Sequence, residues 1–168
     1  MKKSRYLFII LLLALDQLSK LAIKNYLDVG ENIPIIKNFF LLTHVENSGA
    51  AFSILTGKYT LLIALPIVAI IFAIWYMEKH LNSHWTLRVS LILIIAGGIG
   101  NLIDRIQFKY VVDMFNFTFF PAVFNVADIC ICVGCGLLVL YMFVFDNKKA
   151  SLEEGAKDKS GEENEQKL

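Results

Sequence analysis

The chain has 168 residues, 57% of them hydrophobic, with a formal net charge of +1 and a mean hydropathy of +0.60. A soluble domain of this length is usually less apolar, so the composition points to a membrane protein. The near-neutral balance offers no basic excess for nucleic acid and no acidic excess for a basic partner.

A helix needs roughly 20 mostly apolar residues to cross the hydrocarbon core. The first segment that qualifies is 6–27. Lys2, Lys3 and Arg5 precede it, and its run 6–15 resembles a secretory signal. No small-x-small cleavage site follows, so an uncleaved first helix is expected. Asp16, Gln17 and Lys20 interrupt its second half. The connector 28–58 contains an alternating stretch, 39–45, that suits a short strand or hairpin. The second helix is expected over 59–77, free of charge and containing Pro66, which neighbouring helices can accommodate. A tight polar link, 78–84, leads to a third helix over 85–103, with Arg88 near its start and long enough to snorkel. The connector 104–123 carries strand-like stretches at 110–112 and 117–120. A fourth helix is expected over 124–145.

Cys130, Cys132 and Cys135 lie inside that last apolar run. A secreted disulfide framework would spread them through polar loops, and on a helix Cys130 and Cys132 point apart, so packing is the expected role rather than a zinc cage. The charged stretch 146–168 is expected to be a disordered cytoplasmic tail, separate from the membrane domain 1–145. Lys2, Lys3 and Arg5, Lys79, and Lys148 with Lys149 fall on one side of a four-crossing chain. The positive-inside rule makes that side cytoplasmic and puts both long connectors outside.

A charged side chain at mid-bilayer costs roughly 2.5–3.5 kcal/mol on insertion scales, so the intramembrane polar residues carry the information. Helices one and three hold theirs in their second halves: Asp16, Gln17 and Lys20, then Asn101, Asp104 and Arg105. Helix four, running back, holds Asn125 and Asp128 in its first turn. Chain reversal therefore stacks all of them at one depth, within reach of Asp113 in the outer connector. Asp16 and Lys20 share a helical face, as do Asn101 and Arg105. Gly97, Gly98 and Gly100 allow another backbone to approach the third helix. Asn125 suits an N-cap, with Asp128 favoured by the helix dipole.

No serine can pair with a histidine at membrane depth, since His44, His80 and His84 all lie in connectors, and no H-E-x-x-H run or phosphate loop is present. What remains is the carboxylates Asp16, Asp104, Asp113 and Asp128. Two held close share one proton, so one acts as base toward water and the other as acid toward a carbonyl. Asp16 and Asp104 have Lys20 and Arg105 nearby, whereas Asp113 and Asp128 have no adjacent base and are freer to share a proton. A proton-coupled transporter would need polar residues continuing to the inner face, where only Arg88 is found. A non-catalytic scaffold would tolerate Asp→Asn changes.

Five blocks in order, Asp16-Gln17-Leu18-Ser19-Lys20, Glu46-Asn47-Ser48-Gly49-Ala50-Ala51-Phe52, Gly100-Asn101-Leu102-Ile103-Asp104-Arg105, Val111-Val112-Asp113 and Phe124-Asn125-Val126-Ala127-Asp128, resemble the conserved blocks of the bacterial lipoprotein signal peptidases (signal peptidase II). The resemblance implies an α-helical inner-membrane aspartic peptidase with four transmembrane helices, both termini cytoplasmic, and a small extracytoplasmic β-cradle with a short periplasmic helix. It implies cleavage of diacylglyceryl-modified prolipoproteins just before the lipidated cysteine, at a site near the outer face. The family's catalytic aspartates fall on Asp113 and Asp128. Its supporting polar residues fall on Asp16, Lys20, Asn47, Asn101, Arg105 and Asn125, and Gly49 joins them as a substrate-binding residue. No cofactor, metal or nucleic acid is expected. The partners are prolipoproteins, membrane lipids and globomycin-type cyclic peptides, and the chain is expected to be a monomer. Lys109, Met114 and Ile129 depart from the family's usual Gly, Phe and small residue, which bears on the turn before Asp113, on packing behind the acids and on substrate preference. Small side chains near Asn47 would admit a substrate backbone, and the apolar connectors would cover the site as a lid.

Overall fold

The computed structural model describes residues 2–49, 58–81 and 83–146. Among these residues four helices are long and apolar enough to cross a membrane. In chain order the elements are α1 (Lys2–Tyr26), β1 (Asn32–Ile36), β2 (Phe40–Asn47), α2 (Tyr59–Lys79), α3 (Trp85–Phe108), β3 (Val111–Phe117), β4 (Val123–Phe124) and α4 (Val126–Tyr141), which continues as a π turn over Met142–Asp146. The expected order of spans holds, with shifted ends. Of the stretch 146–168 read from sequence as a disordered tail, Asp146 ends the π turn and the rest lies outside the described residues, as do Ala50, Ala51 and Phe52. The described connector residues contain no additional short helix.

The third helix is the hub. It is the most enclosed of the four spans, and its residues Leu87, Leu91, Ile92, Ile95 and Ala96 form a core with Ile9 of α1 and Ile70, Ala73 and Met77 of α2. Its glycines each receive a different neighbour. A Cβ on Gly97 would strike the carbonyl oxygen of Ala127 in α4; on Gly98 it would press Ile70 of α2; on Gly100 it would strike the carboxylate of Asp16 in α1. Small residues let these backbones and side chains come close where lipid tails supply no hydrophobic drive for association. Outward-facing Leu7, Leu11, Leu18, Val68, Phe72 and Phe143 remain exposed on the bundle surface, as a lipid-facing surface requires.

Above one end of the bundle sits an antiparallel sheet in the order β1-β2-β3-β4. Both connectors contribute to it, and the β2–β3 pairing sets Val45 opposite Asp113 and Asn47 opposite Val111. A bulge between Leu42 and Val45 bends the ladder there. One face is held by stacked aromatics: Phe40 on Phe117 at 4.9 Å and Phe117 on Phe124 at 5.7 Å between ring centroids. The strand expected over 117–120 ends at Phe117. Thr118 turns away because its N–H and hydroxyl are taken by the carbonyls of Phe39 and Asn38. The helix expected from residue 124 begins instead at Val126, since Val123 and Phe124 pair with β3.

The third helix runs past residue 103 to Phe108, so Asp104 and Arg105 are helical rather than in a connector. It ends on Lys109, which holds φ 67° and donates its N–H to the Arg105 carbonyl. A left-handed conformation costs a non-glycine residue roughly 1–2 kcal/mol. Lys109 therefore keeps the turn into β3 that a glycine would make without strain.

Candidate active site

Two polar clusters occupy one layer of the bundle, and α3 belongs to both. The first joins α1, α3, α4 and β3 around Lys20, which is 3% exposed. Its ammonium contacts Asp16 at 2.8 Å and Asp104 at 3.1 Å and donates to Asn101 Oδ1 at 3.1 Å. Asp16 also accepts the backbone N–H of Ala127 at 2.9 Å, one of the orphan donors of the first turn of α4. Asp104 accepts the N–H of Val112 at 3.2 Å. Gln17 donates to both carboxylates and to the Gly100 carbonyl. The pairing expected between Asp104 and Arg105 does not form: neighbouring residues point to different faces of a helix, so Asp104 turns inward to Lys20 and Arg105 turns toward the second cluster.

The second cluster is built on Asn125. Its side chain accepts the N–H of Asp128 at 2.9 Å while Asp128 Oδ2 accepts the N–H of Asn125 at 3.2 Å, a reciprocal capping box at the start of α4. The amide nitrogen of Asn125 is then free to donate to Asp113 Oδ1 at 2.6 Å and to Asn101 Oδ1 at 3.2 Å. Asn47, diagonal to Asp113 across β2 and β3, donates to its Oδ2 at 2.9 Å, and the Gly49 N–H donates to Asn47 Oδ1 at 2.9 Å. Asn101 donates to Asp128 Oδ1 at 2.7 Å.

The direction of every amide in this network is dictated. Asn101 must offer oxygen to an ammonium, and Asn125 and Asn47 must offer oxygen to backbone N–H groups, none of which can accept. Each amide is thereby forced to turn its N–H₂ toward Asp113 or Asp128. All four oxygens of those two carboxylates receive one donor each. Burial pushes the Asp113 carboxyl up to about 6; the donors Asn47 and Asn125 and the charge of Lys20 oppose this, and the negative charge of Asp128 adds to it. Such a carboxyl exchanges its proton near neutrality, unlike an ordinary aspartate.

Asp113 and Asp128 face a cavity of about 580 Å³ together with Asn47, Asn101 and Arg105. Arg105 stretches across to the Gly49 carbonyl at 3.0 Å, and Tyr59 caps the Arg105 carbonyl at 2.7 Å. Pro66 of α2 and Val133 of α4 also line the cavity, so it lies between those helices in front of α3. Ile129 and Val133 are at once cavity walls and exposed on the bundle surface, so the site borders the lipid-facing side. Of the departing residues, Ile129 therefore touches the cavity. Met114 packs on the far side of β3 with Ile23, Leu27 and Val112.

The structure thus lines the cavity with Asn47, Asn101, Arg105, Asp113 and Asp128, holds Gly49 and the buried Asn125 against them by hydrogen bonds, and sets Asp16 and Lys20 behind it as the adjoining cluster. Asp104 and Gln17 complete that cluster. Sequence reasoning counted both among the polar residues but left them out of the site, although their depth beside Asp16 and Asn101 was the available signal.

Fold and site together define a multi-spanning α-helical membrane protein with a carboxylate-lined cavity near one face. Two solved bacterial membrane enzymes, determined by the in meso method at 2.3 and 1.9 Å, share this fold: TM-scores are 0.79 and 0.78 at 28% and 27% identity, covering 84% and 85% of this chain and 88% and 94% of theirs. The chain is 45% identical over 138 residues to the lipoprotein signal peptidase of Halothermothrix orenii, covering 82% of this chain and 94% of that one. It is 43% identical over 143 residues to that of Clostridioides difficile, covering 84% and 96%. The family model for signal peptidase II matches residues 8–144. The chain belongs to the signal peptidase II family and is a membrane-embedded protease.

Proposed function

We propose that the enzyme removes the signal peptide from diacylglyceryl-modified prolipoproteins, cutting before the lipidated cysteine, with Asp113 and Asp128 as the catalytic pair. The observation that carries this is the donor network: three asparagine amides and one backbone N–H are all aimed at these two carboxylates and at no others. Asp16 and Asp104, by contrast, both contact the Lys20 ammonium directly and serve packing.

In the proposed reaction a water molecule sits between the pair, which shares one proton. One carboxylate takes a proton from water as its oxygen attacks the scissile carbonyl carbon. The other, protonated, donates to the carbonyl oxygen. The tetrahedral diol then collapses: one diol hydroxyl returns its proton to the carboxylate that had donated to the carbonyl oxygen, the C–N bond breaks, and the leaving amine takes the proton that the other carboxyl had drawn from water, so the dyad again holds one proton. Asn101, Asn125 and Asn47 hold the two carboxylates in place. Arg105 and Gly49 bound the side on which substrate backbone lies. A cavity bordered by exposed Ile129 and Val133 suits a substrate whose acyl chains stay in the bilayer. This reading includes a site beneath the outer leaflet, with both termini cytoplasmic, and inhibition by globomycin-type cyclic peptides.

The test is cleavage of a diacylglyceryl prolipoprotein by Asp113→Asn and Asp128→Asn enzyme in lipid. Each is expected to lower kcat by at least ~10²-fold, the scale of a lost general acid or base. Full activity in either variant removes that residue from the chemistry.

A further inference from the structure

A second cavity, of about 590 Å³, lies at the end of the bundle away from the carboxylates. Its walls are Arg5, Phe8 and Leu12 of α1 and Arg88 and Ile92 of α3. Arg5 is 8% exposed, and its Nη1 is buried with no hydrogen-bond partner. Arg88 is half-buried in the same wall. Among the described residues neither guanidinium is paired with a carboxylate, and Glu78 at this end of the bundle accepts the Tyr6 hydroxyl at 3.0 Å. A buried guanidinium donor left unsatisfied is costly, so this cavity suits an anion. Its remaining walls are apolar, and Phe8 is at once a wall and exposed on the bundle surface. Trp85, another wall residue, is exposed at the helix end, the level at which indoles meet headgroups.

We propose that this cavity binds an anionic glycerophospholipid, with its phosphodiester on Arg5 and Arg88 and an acyl chain along Phe8, Leu12 and Ile92. The planar guanidinium fork matches phosphate oxygens. Basic pockets between membrane helices bind acidic headgroups in the same way. The proposal is independent of the catalytic reading, since none of these residues belongs to the carboxylate cavity.

The experiment is native mass spectrometry of the full chain in neutral detergent, titrated with phosphatidylglycerol or phosphatidylcholine of identical acyl chains. Phosphatidylglycerol is expected to be retained about 25-fold more strongly, and each guanidinium removed in Arg5→Gln and Arg88→Gln is expected to cost about fivefold of that preference. Glycerol 3-phosphate and inorganic phosphate, lacking acyl chains, are expected neither to bind at comparable concentration nor to displace the lipid. Because Arg5 is buried, Arg88→Gln alone supplies a milder variant, and cleavage activity in phosphatidylcholine micelles reports that each variant is folded. Equal retention of the two lipids by the parent, or a preference unchanged in folded Arg88→Gln, overturns the proposal. Displacement of the lipid by glycerol 3-phosphate would make this a site for soluble anions and overturns it equally.

Discussion

At the scale of single residues, what distinguishes the aspartates is the charge each one meets. Asp113 is 2% exposed and receives two amide donors but no cation in direct contact, and its carboxyl is raised to about 6. In the unfolded chain the same group titrates near 4. The folded form therefore binds more protons between those values, so stability is fully present below the unfolded value and is lost as pH rises through about 6. From about pH 8 to about pH 5 the parent is expected to regain about 1 kcal/mol from this group. Asp113→Asn is expected to flatten that slope, as read by thermal unfolding in detergent across the range. Lys20 makes the opposite case. Two carboxylates and one amide oxygen converge on it, so Asp16→Ala leaves it still partnered by Asp104. Lys20→Met instead leaves two buried acids facing one another. It is expected to cost about 3–5 kcal/mol, more than Asp16→Ala does, which paired unfolding measurements would decide.

Among the elements, α3 and the start of α4 settle the geometry. The capping box at Asn125 does two jobs at once: it satisfies the first turn of α4 and fixes which end of the Asn125 amide reaches Asp113. The α3–α4 contact beneath it is made by Gly97 against Ala127, one residue from Asp128. Gly97→Ala is expected to force the helices apart, lowering stability by about 1–3 kcal/mol and lowering activity with it. Gly136→Ala meets no atom within 4 Å and is expected to be neutral or stabilising by up to about 1 kcal/mol. Thermal midpoints and cleavage rates of the two variants, measured side by side, test whether close approach or helix propensity governs these glycines.

For the whole molecule, the bundle and the sheet are joined because both long connectors lie at the same end and pair with one another through β2 and β3. That pairing requires both connectors to share one compartment. Cysteines placed at Val29 and Phe119, 62% and 70% exposed, in a background with Cys130, Cys132 and Cys135 replaced by serine, are expected to react with an impermeant maleimide from the same side. A cysteine at Lys79 is expected to react only from the other. Labelling of Val29 and Phe119 from opposite sides would break the fold described here.

Sequence by itself determined the four spans, their order and the common depth of the acids, because apolar length and chain reversal are local and additive properties. It also singled out Gly97, Gly98 and Gly100, since a run of small residues in an apolar helix reads as close approach. It did not reveal that Asp104 pairs with Lys20 rather than Arg105, that Gln17 ties α1 to α3, or that β1 and β4 complete the sheet. Nor could spacing alone choose which two carboxylates meet around Asn125. Those outcomes depend on helix rotation and strand register, which are decided by contacts between distant segments. Only the folded chain puts the Lys20 ammonium on the oxygen of Asn101, and so turns that amide toward Asp128.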